Sequence, residues 1–336
     1  ACAGAPGPLR RLWPGDGRDL GGHGPPEVAR LLEGLRASVA SVYAVEGPAA
    51  PAVASCPSAG AGAAGRLAQL REEDAVFLGS GFAYGDGRHV VTCAHLFEGR
   101  APGAELAVRF GDGRWCLAEL LGSSPTADVA VLRLAEAGRP GAPQLAAAQP
   151  LPGQGEWVVV CGSTQHGLET VGLAGLVSQP RQAFRGLAEE AATHFVQLAL
   201  PTLPGMSGSP AVNLRGEVVA MLAKKFEEHG LALPAGRVAL VAQCLERGMT
   251  WQPPVLGLEL EAGGLLAEPR VRVRAVRPGG PAEAAGVRPG DEVLAVQDAA
   301  VASTLDVREA LGALGDAAAS EGGPAPVRLE LRREGH

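Results

Sequence analysis

A chain of 336 residues in which 46% are hydrophobic has the apolar side chains for about two cores and too many for a disordered polymer. Its 29 Lys+Arg against 36 Asp+Glu give a formal charge of −7, which excludes a nucleic-acid binder driven by overall charge, because phosphate neutralisation needs a basic face. No apolar run approaches the ~18 residues that span a bilayer, and 48 Gly and 27 Pro with only 4% aromatics predict short elements, many turns and cores of Val, Leu and Ala.

In chain order, residues 1–25 are rich in Gly, Pro and Arg without periodicity, and a loose arm is expected there. Ala1 in place of Met is expected of a fragment or a processed chain. Val28, Leu31, Leu32 and Leu35 recur at helical spacing after Pro26 and predict a short helix that runs into an alternating strand, Val39–Val45. Residues 47–75 open with a run of Ala, Gly, Pro and Ser that cannot offset its ordering entropy by burial, so a flexible insertion is predicted. Short apolar runs then alternate with Gly-rich turns: Val90–Thr92, Leu106–Phe110, Val129–Leu132, Trp157–Val160 and Val218–Leu222. Asp112-Gly113 between two such runs is a hairpin signal. Strands this frequent, without long helices between them, predict an all-β sandwich or a pair of barrels. A short helix over 238–248 closes the unit, and Trp251-Gln252-Pro253-Pro254 reads as a linker. A second unit follows, with strands near 256–260, 270–277, 292–296 and 327–332 and a helix near 305–314. Cys2, Cys56, Cys93, Cys116, Cys161 and Cys244 are scattered without a Cys-x-x-Cys pair and read as small buried residues rather than a zinc site.

Three segments carry chemistry jointly. Val90–His95 is a strand that ends on a histidine, Asp128 stands at the mouth of the apolar run Val129–Leu132, and Gly205-Met206-Ser207-Gly208-Ser209-Pro210 presents a serine between glycines. Singly, each has a plain explanation as an edge residue, a turn former or a loop. Together they supply a nucleophile that needs a base, a base that needs an orienting carboxylate, and the carboxylate. Glycine beside Ser207 lets the backbone turn sharply, so that the Gly205 and Ser207 N–H groups can face one spot. Each donor to a tetrahedral oxyanion is worth about 3 kcal/mol.

These residues resemble the chymotrypsin-like serine endopeptidases and, within them, the HtrA/Deg family. Gly79-Ser80-Gly81-Phe82 is similar to that family's G-S-G-hydrophobic start, and Phe110-Gly111-Asp112-Gly113-Arg114 to its D-G-R hairpin. Val171–Ser178, after Cys161-Gly162, resembles its glycine-rich turn and following strand, and Ala211–Val219 its L-V-N-x-x-G-E-V-I-G run. Two positions depart from the pattern: Met206 stands where Asn is usual and Ser209 where Gly is usual. This resemblance covers residues 26–248. Residues 255–335 resemble a PDZ domain, most closely over Gly279–Leu294, and Leu256-Gly257-Leu258 looks like its carboxylate-binding loop.

The resemblance implies a mostly β protein, with a chymotrypsin-like double β-barrel protease domain over 26–250 and a small α+β PDZ domain over 251–336. It implies an ATP-independent serine endopeptidase that cleaves unfolded or damaged proteins, in agreement with the lack of a P-loop pattern. Ser207 would be the nucleophile, His95 the base, Asp128 its orienter, and Gly205 and Ser207 the oxyanion donors, with no cofactor and no metal. Peptide C-termini would bind at Leu256, Gly257 and Leu258 by pairing with a strand edge. By the same analogy the protein is a homotrimer or a multiple of one, assembled around residues 26–45, in an organelle (mitochondrion or chloroplast) or a periplasmic or secretory compartment. The alternative is a catalytically weak or inactive scaffold acting as a chaperone or peptide-binding adaptor. Pro201, six residues before the nucleophile, falls where trypsin-like enzymes place a charged pocket floor. With Leu200, Thr202, Leu203, Met221, Leu222 and Ala223 it predicts cleavage after small or medium aliphatic residues. Lys224 and Lys225 would favour acidic residues instead if they reached that pocket.

Overall fold

The structure, a computed structural model, describes residues 26–45, 67, 74–100, 104–136, 142–145, 150–165, 167–182, 194–249, 251, 254–265, 268–304, 306–308, 310–312, 314 and 326–333. The arm expected over 1–25 and most of the insertion expected over 47–75 lie outside these residues.

Helix α1 (Pro26–Arg36) starts on a proline, tolerated at the first helical position because its missing N–H would be unpaired there anyway. Strands β1 (Val39–Val45), β2 (Ala75–Tyr84), β3 (His89–Thr92), β4 (Leu106–Phe110), β5 (Trp115–Ser124) and β6 (Val129–Leu134) close a barrel in the order β1-β2-β3-β6-β5-β4. Strands β7 (Trp157–Thr164), β8 (Gly167–Gln182), β9 (Phe195–Ala199), β10 (Pro210–Asn213), β11 (Val218–Phe226) and β12 (His229–Pro234) close a second, in the order β10-β11-β12-β9-β8-β7. The Asp112-Gly113 signal is a turn between β4 and β5: Gly113 has φ 86 and its N–H donates to the Phe110 carbonyl at 2.8 Å.

The apolar runs look continuous in sequence because alternate residues of each strand are buried in different places. Ala40, Val42, Ala44 and Leu132 fill the first barrel, and Val158, Val160, Leu198 and Ala220 fill the second. The intervening residues Val39, Val91, Val129, Val131, Val159 and Cys161 form the seam between the barrels. Both faces being buried, the polar half of the usual strand alternation disappears. Helix α2 (Ala235–Glu246) lays Val238, Val241, Ala242 and Leu245 over that seam. The sequence predicts a linker starting at Trp251, yet Trp251 is only 1% exposed and packs in the seam core. Its carbonyl accepts from Ser124 Oγ at 3.3 Å, and the Arg237 guanidinium lies 5.1 Å from its ring centroid. The chain is thus anchored to the barrels as far as Trp251.

The third sheet runs β13 (Leu258–Leu265), β14 (Glu268–Val276), β15 (Glu292–Val296), β16 (Ala299–Ala300), and β17 (Leu329–Arg332) also pairs with β15. Val271, Val273, Val293, Val296 and Val307 make its core, with Ala282 of the short helix α3 (Pro281–Ala284). The predicted helix near 305–314 is helical at its described residues 306–308, 310–312 and 314. No helix among the described residues is long and apolar enough to cross a membrane.

Candidate active site

His95 and Asp128 meet because of strand register. Thr92 of β3 pairs with Ala130 of β6, so the residues after Thr92 and before Ala130 leave the ladder at the same end. Ala94–Phe97 forms a 3-10 turn there that carries His95. Asp128 sits at φ 54, a left-handed conformation that a short polar side chain tolerates, with its N–H on the Pro125 carbonyl at 3.2 Å. Its carboxylate accepts the His95 backbone N–H at 3.0 Å and lies 2.9 Å from His95 Nδ1 through both oxygens. A carboxylate can only accept, so Nδ1 carries the proton and Nε2 is left able to take one. Asp128 is buried, while the His95 side chain is 32% exposed.

Ser207 lies across the seam, on the loop before β10. Its Oγ donates to the Ala223 carbonyl at 3.0 Å, and among the described residues no hydrogen bond joins it to His95. Ala223 falls at a register shift between Leu222 and Lys224 in the β11–β12 ladder, which leaves its carbonyl for the serine. A hydroxyl can change partner by rotating about χ1, so this bond does not fix the serine to one acceptor.

The loop backbone is pinned peptide by peptide. The Pro204 carbonyl accepts from Gln165 N–H at 3.1 Å, and the Met206 carbonyl accepts from Ser209 N–H at 3.0 Å. In a planar trans peptide the N–H points opposite to the C=O. These two bonds therefore turn the Gly205 and Ser207 N–H groups the other way, and neither has a backbone acceptor among the described residues. Gly208, at φ 91, accommodates the approach of Ser80: a Cβ there would stand 1.9 Å from the Ser80 carbonyl oxygen.

Several expectations change here. Met206, which departs from the usual residue, is fully buried in the second barrel's core and faces away from the site. Ser209 is also buried, with Oγ unpartnered among the described residues, and a Cβ on Gly162 would meet that oxygen at 1.8 Å. Pro201, expected at a pocket floor, is exposed; the buried residue of that segment is Thr202, whose Cγ2 would touch a Cβ on Gly230 at 2.9 Å. Lys225 is exposed and Lys224 half-buried. Cys93, Cys116, Cys161 and Cys244 are buried thiols in no disulfide among the described residues, as read from sequence, and Cys2 and Cys56 lie outside the described residues. Cys93 Sγ lies within 4.8 Å of ligand atoms of His95 and Asp128. Burial, and then the Asp128 charge, push its thiol well up, so it stays neutral, 3.5 Å from the Leu222 carbonyl.

In the third sheet, the Leu256 carbonyl accepts from Ala282 N–H at 3.1 Å and the Gly257 carbonyl from Arg277 N–H at 2.8 Å. The same peptide geometry turns the Gly257 and Leu258 N–H groups outward, at the start of β13, an edge strand that pairs only with β14 among the described residues.

Residues 79–221 match the trypsin-like peptidase domain family, and residues 254–319 match the PDZ domain family. A probable periplasmic serine endoprotease, DegP-like, of Pseudomonas fluorescens is 30% identical over 265 residues, covering 73% of this chain and 52% of the relative. A putative serine protease, HhoB, of Synechocystis is 28% identical over 253 residues, 69% of this chain and 59% of the relative. The chain thus spans about half the length of the curated relatives it matches. Among solved structures, the HtrA-type protease AlgW with a tripeptide superposes with a TM-score of 0.66 at 20% identity, covering 93% of this chain and 94% of that one. The serine endoprotease of Yersinia pestis gives 0.62 at 21% identity, covering 94% and 96%. The chain therefore carries a trypsin-like peptidase domain followed by a PDZ domain, and the proteins it is similar to are DegP-like serine endoproteases and HtrA-type proteases.

Proposed function

We propose that the protein is an ATP-independent serine endopeptidase that cleaves unfolded or damaged polypeptides. Ser207 Oγ turns from the Ala223 carbonyl to His95 Nε2 and attacks the scissile carbonyl. His95 takes its proton and returns it to the leaving amine, while Asp128 holds the imidazole's tautomer and stabilises its charged form. The Gly205 and Ser207 N–H groups receive the oxyanion. The observation that carries this reading is the Asp128 carboxylate set on His95 Nδ1 at 2.9 Å, at the same seam as a serine loop whose two N–H groups have no backbone acceptor among the described residues. Casein digestion by the full chain and by Ser207→Ala tests it: cleavage is expected from the parent only, and equal cleavage by both would refute it.

The Ser207–Ala223 bond favours one qualification of that reading, a latent serine that substrate or assembly must release. The PDZ edge strand β13, with the Gly257 and Leu258 N–H groups facing outward, suits a peptide C-terminus. A peptide with a free carboxylate is expected to bind at least tenfold more tightly than its amide; equal binding would count against the site. A periplasmic or secreted compartment is supported by the names of the DegP-like relatives. Cleavage after small or medium aliphatic residues is the specificity we propose, because Pro201 is uncharged and the segment against the serine loop, whose Leu222 carbonyl accepts the Gly208 N–H at 2.7 Å, is apolar over Met221–Ala223. A peptide-library profile favouring Asp or Glu would assign Lys224 a role in the pocket.

A further inference from the structure

The buried polar residues behind the nucleophile loop converge on one side chain. Ser80 of β2 is fully buried and uses every polar atom it has. Its N–H donates to the Ser207 carbonyl at 2.9 Å, and its carbonyl accepts from Thr92 Oγ1 at 2.6 Å. Its Oγ accepts the Ser163 N–H at 2.8 Å and donates to the Gly205 carbonyl at 2.8 Å; the Ser163 carbonyl, at 3.3 Å, is a longer alternative. One residue thus joins the histidine strand, the second barrel and the two carbonyls that flank the nucleophile's own peptide.

The Gly205 carbonyl is the critical one. Gly205 has φ 96, a region where only glycine rotates without steric cost. The peptide after it is therefore held by its partners rather than by a side chain. Those partners are Ser80 Oγ at the carbonyl and the Leu203 carbonyl at the Met206 N–H, 3.1 Å. Rotation of that peptide would swing a carbonyl oxygen towards the space faced by the Gly205 and Ser207 N–H groups, replacing donors with an acceptor. The approach that makes the contact possible is built into the motif: a Cβ on Gly79 would meet the Leu96 side chain at 2.7 Å and the Ser207 carbonyl at 3.3 Å.

We propose that Ser80 is a positioning residue for the oxyanion-binding loop: its hydroxyl, fixed by the Ser163 N–H, holds the Gly205 carbonyl turned away and so keeps the two N–H donors presented. It touches no substrate and acts through Gly205. This rests on the serine-peptidase reading above. Losing one oxyanion donor outright costs roughly 10²–10³ in rate, and loss of the Ser80 hydroxyl, which only loosens the donors, is expected to cost roughly 10- to 100-fold.

The test is the rate at which a fluorophosphonate probe labels the full chain, measured across probe concentrations for the parent, Ser80→Ala and Ser41→Ala. Ser41 is a buried control: its Oγ is 2.5 Å from Ser163 Oγ in the same group of serines, one step removed from the loop. Ser80→Ala is expected to lower the maximal labelling rate by that factor, with the half-saturating concentration within about twofold of the parent. Ser41→Ala is expected to label like the parent even where its melting temperature falls as far. Equal losses in both variants would reduce Ser80 to general packing and overturn the inference, as would parental labelling by Ser80→Ala. If Ser80→Ala does not fold, Ser80→Cys, a weaker and longer donor, is expected to label more slowly than the parent, and an unchanged rate would likewise overturn it. No labelling of the parent would instead count against the peptidase reading itself.

Discussion

Asp128 combines a left-handed backbone, φ 54, with a carboxylate that accepts from His95 at both the ring and the main chain. Asp128→Asn keeps the shape and the turn but lets the amide donate, so the imidazole turns its proton to Nε2 and cannot act as base. Turnover of casein is expected to fall by a factor on the order of 10⁴, with the melting temperature nearly unchanged; retention of more than a tenth of the rate would contradict the assigned role. Gly208→Ala acts differently. Its φ of 91 and the 1.9 Å between a new Cβ and the Ser80 carbonyl make the substitution a clash with backbone, which must shift. A loss of about 3 kcal/mol or more is expected in urea unfolding, together with loss of labelling. The His95–Asp128 pairing was legible in the sequence, because each residue closes an apolar strand and the chemistry demands both. The roles of Ser80 and Met206 were not: one acts through a carbonyl 125 positions away and the other fills a barrel, and neither leaves a local pattern.

Among the elements, the strands were readable from apolar runs bounded by glycine turns, and their cores follow from period-2 burial. Trp251 was misread as linker because Pro253 and Pro254 dominate the local signal, while its burial depends on α2 and Ser124 folding beneath it. The PDZ sheet carries a pH-sensitive tie. Asp291, buried before β15, accepts from Arg333 Nε at 2.7 Å and from the Arg288 N–H at 2.8 Å. The Arg333 hydrogen bond is the main cause that holds its carboxyl below the usual range. A carboxylate with a lowered folded pKa stabilises the fold above its unfolded value, about 4, and that contribution is lost as the pH falls through the lower folded value. Arg333→Ala is therefore expected to lower the melting temperature of the PDZ unit at pH 7, and the deficit is expected to shrink as the pH is taken down below about 4. A deficit that stays constant down the acid range would show that Arg333 acts by packing alone.

At the scale of the whole molecule, the two barrels meet in one apolar seam that α2 covers, and each barrel brings half of the candidate chemistry to it: His95 and Asp128 from the first, Ser207 from the second. Separate folding of either half would leave no site. We propose a homotrimer, or a multiple of one, by analogy with the family; sedimentation over a range of concentrations is expected to give three chains or a multiple, and a monomer throughout would refute it. The most direct measurement of the central claim is covalent. The full chain is treated with a fluorophosphonate and the adduct located by mass spectrometry. A single adduct on Ser207 is expected, absent from Ser207→Ala and slowed by orders of magnitude in His95→Ala. Labelling at another serine, or equal labelling with and without His95, would contradict the account.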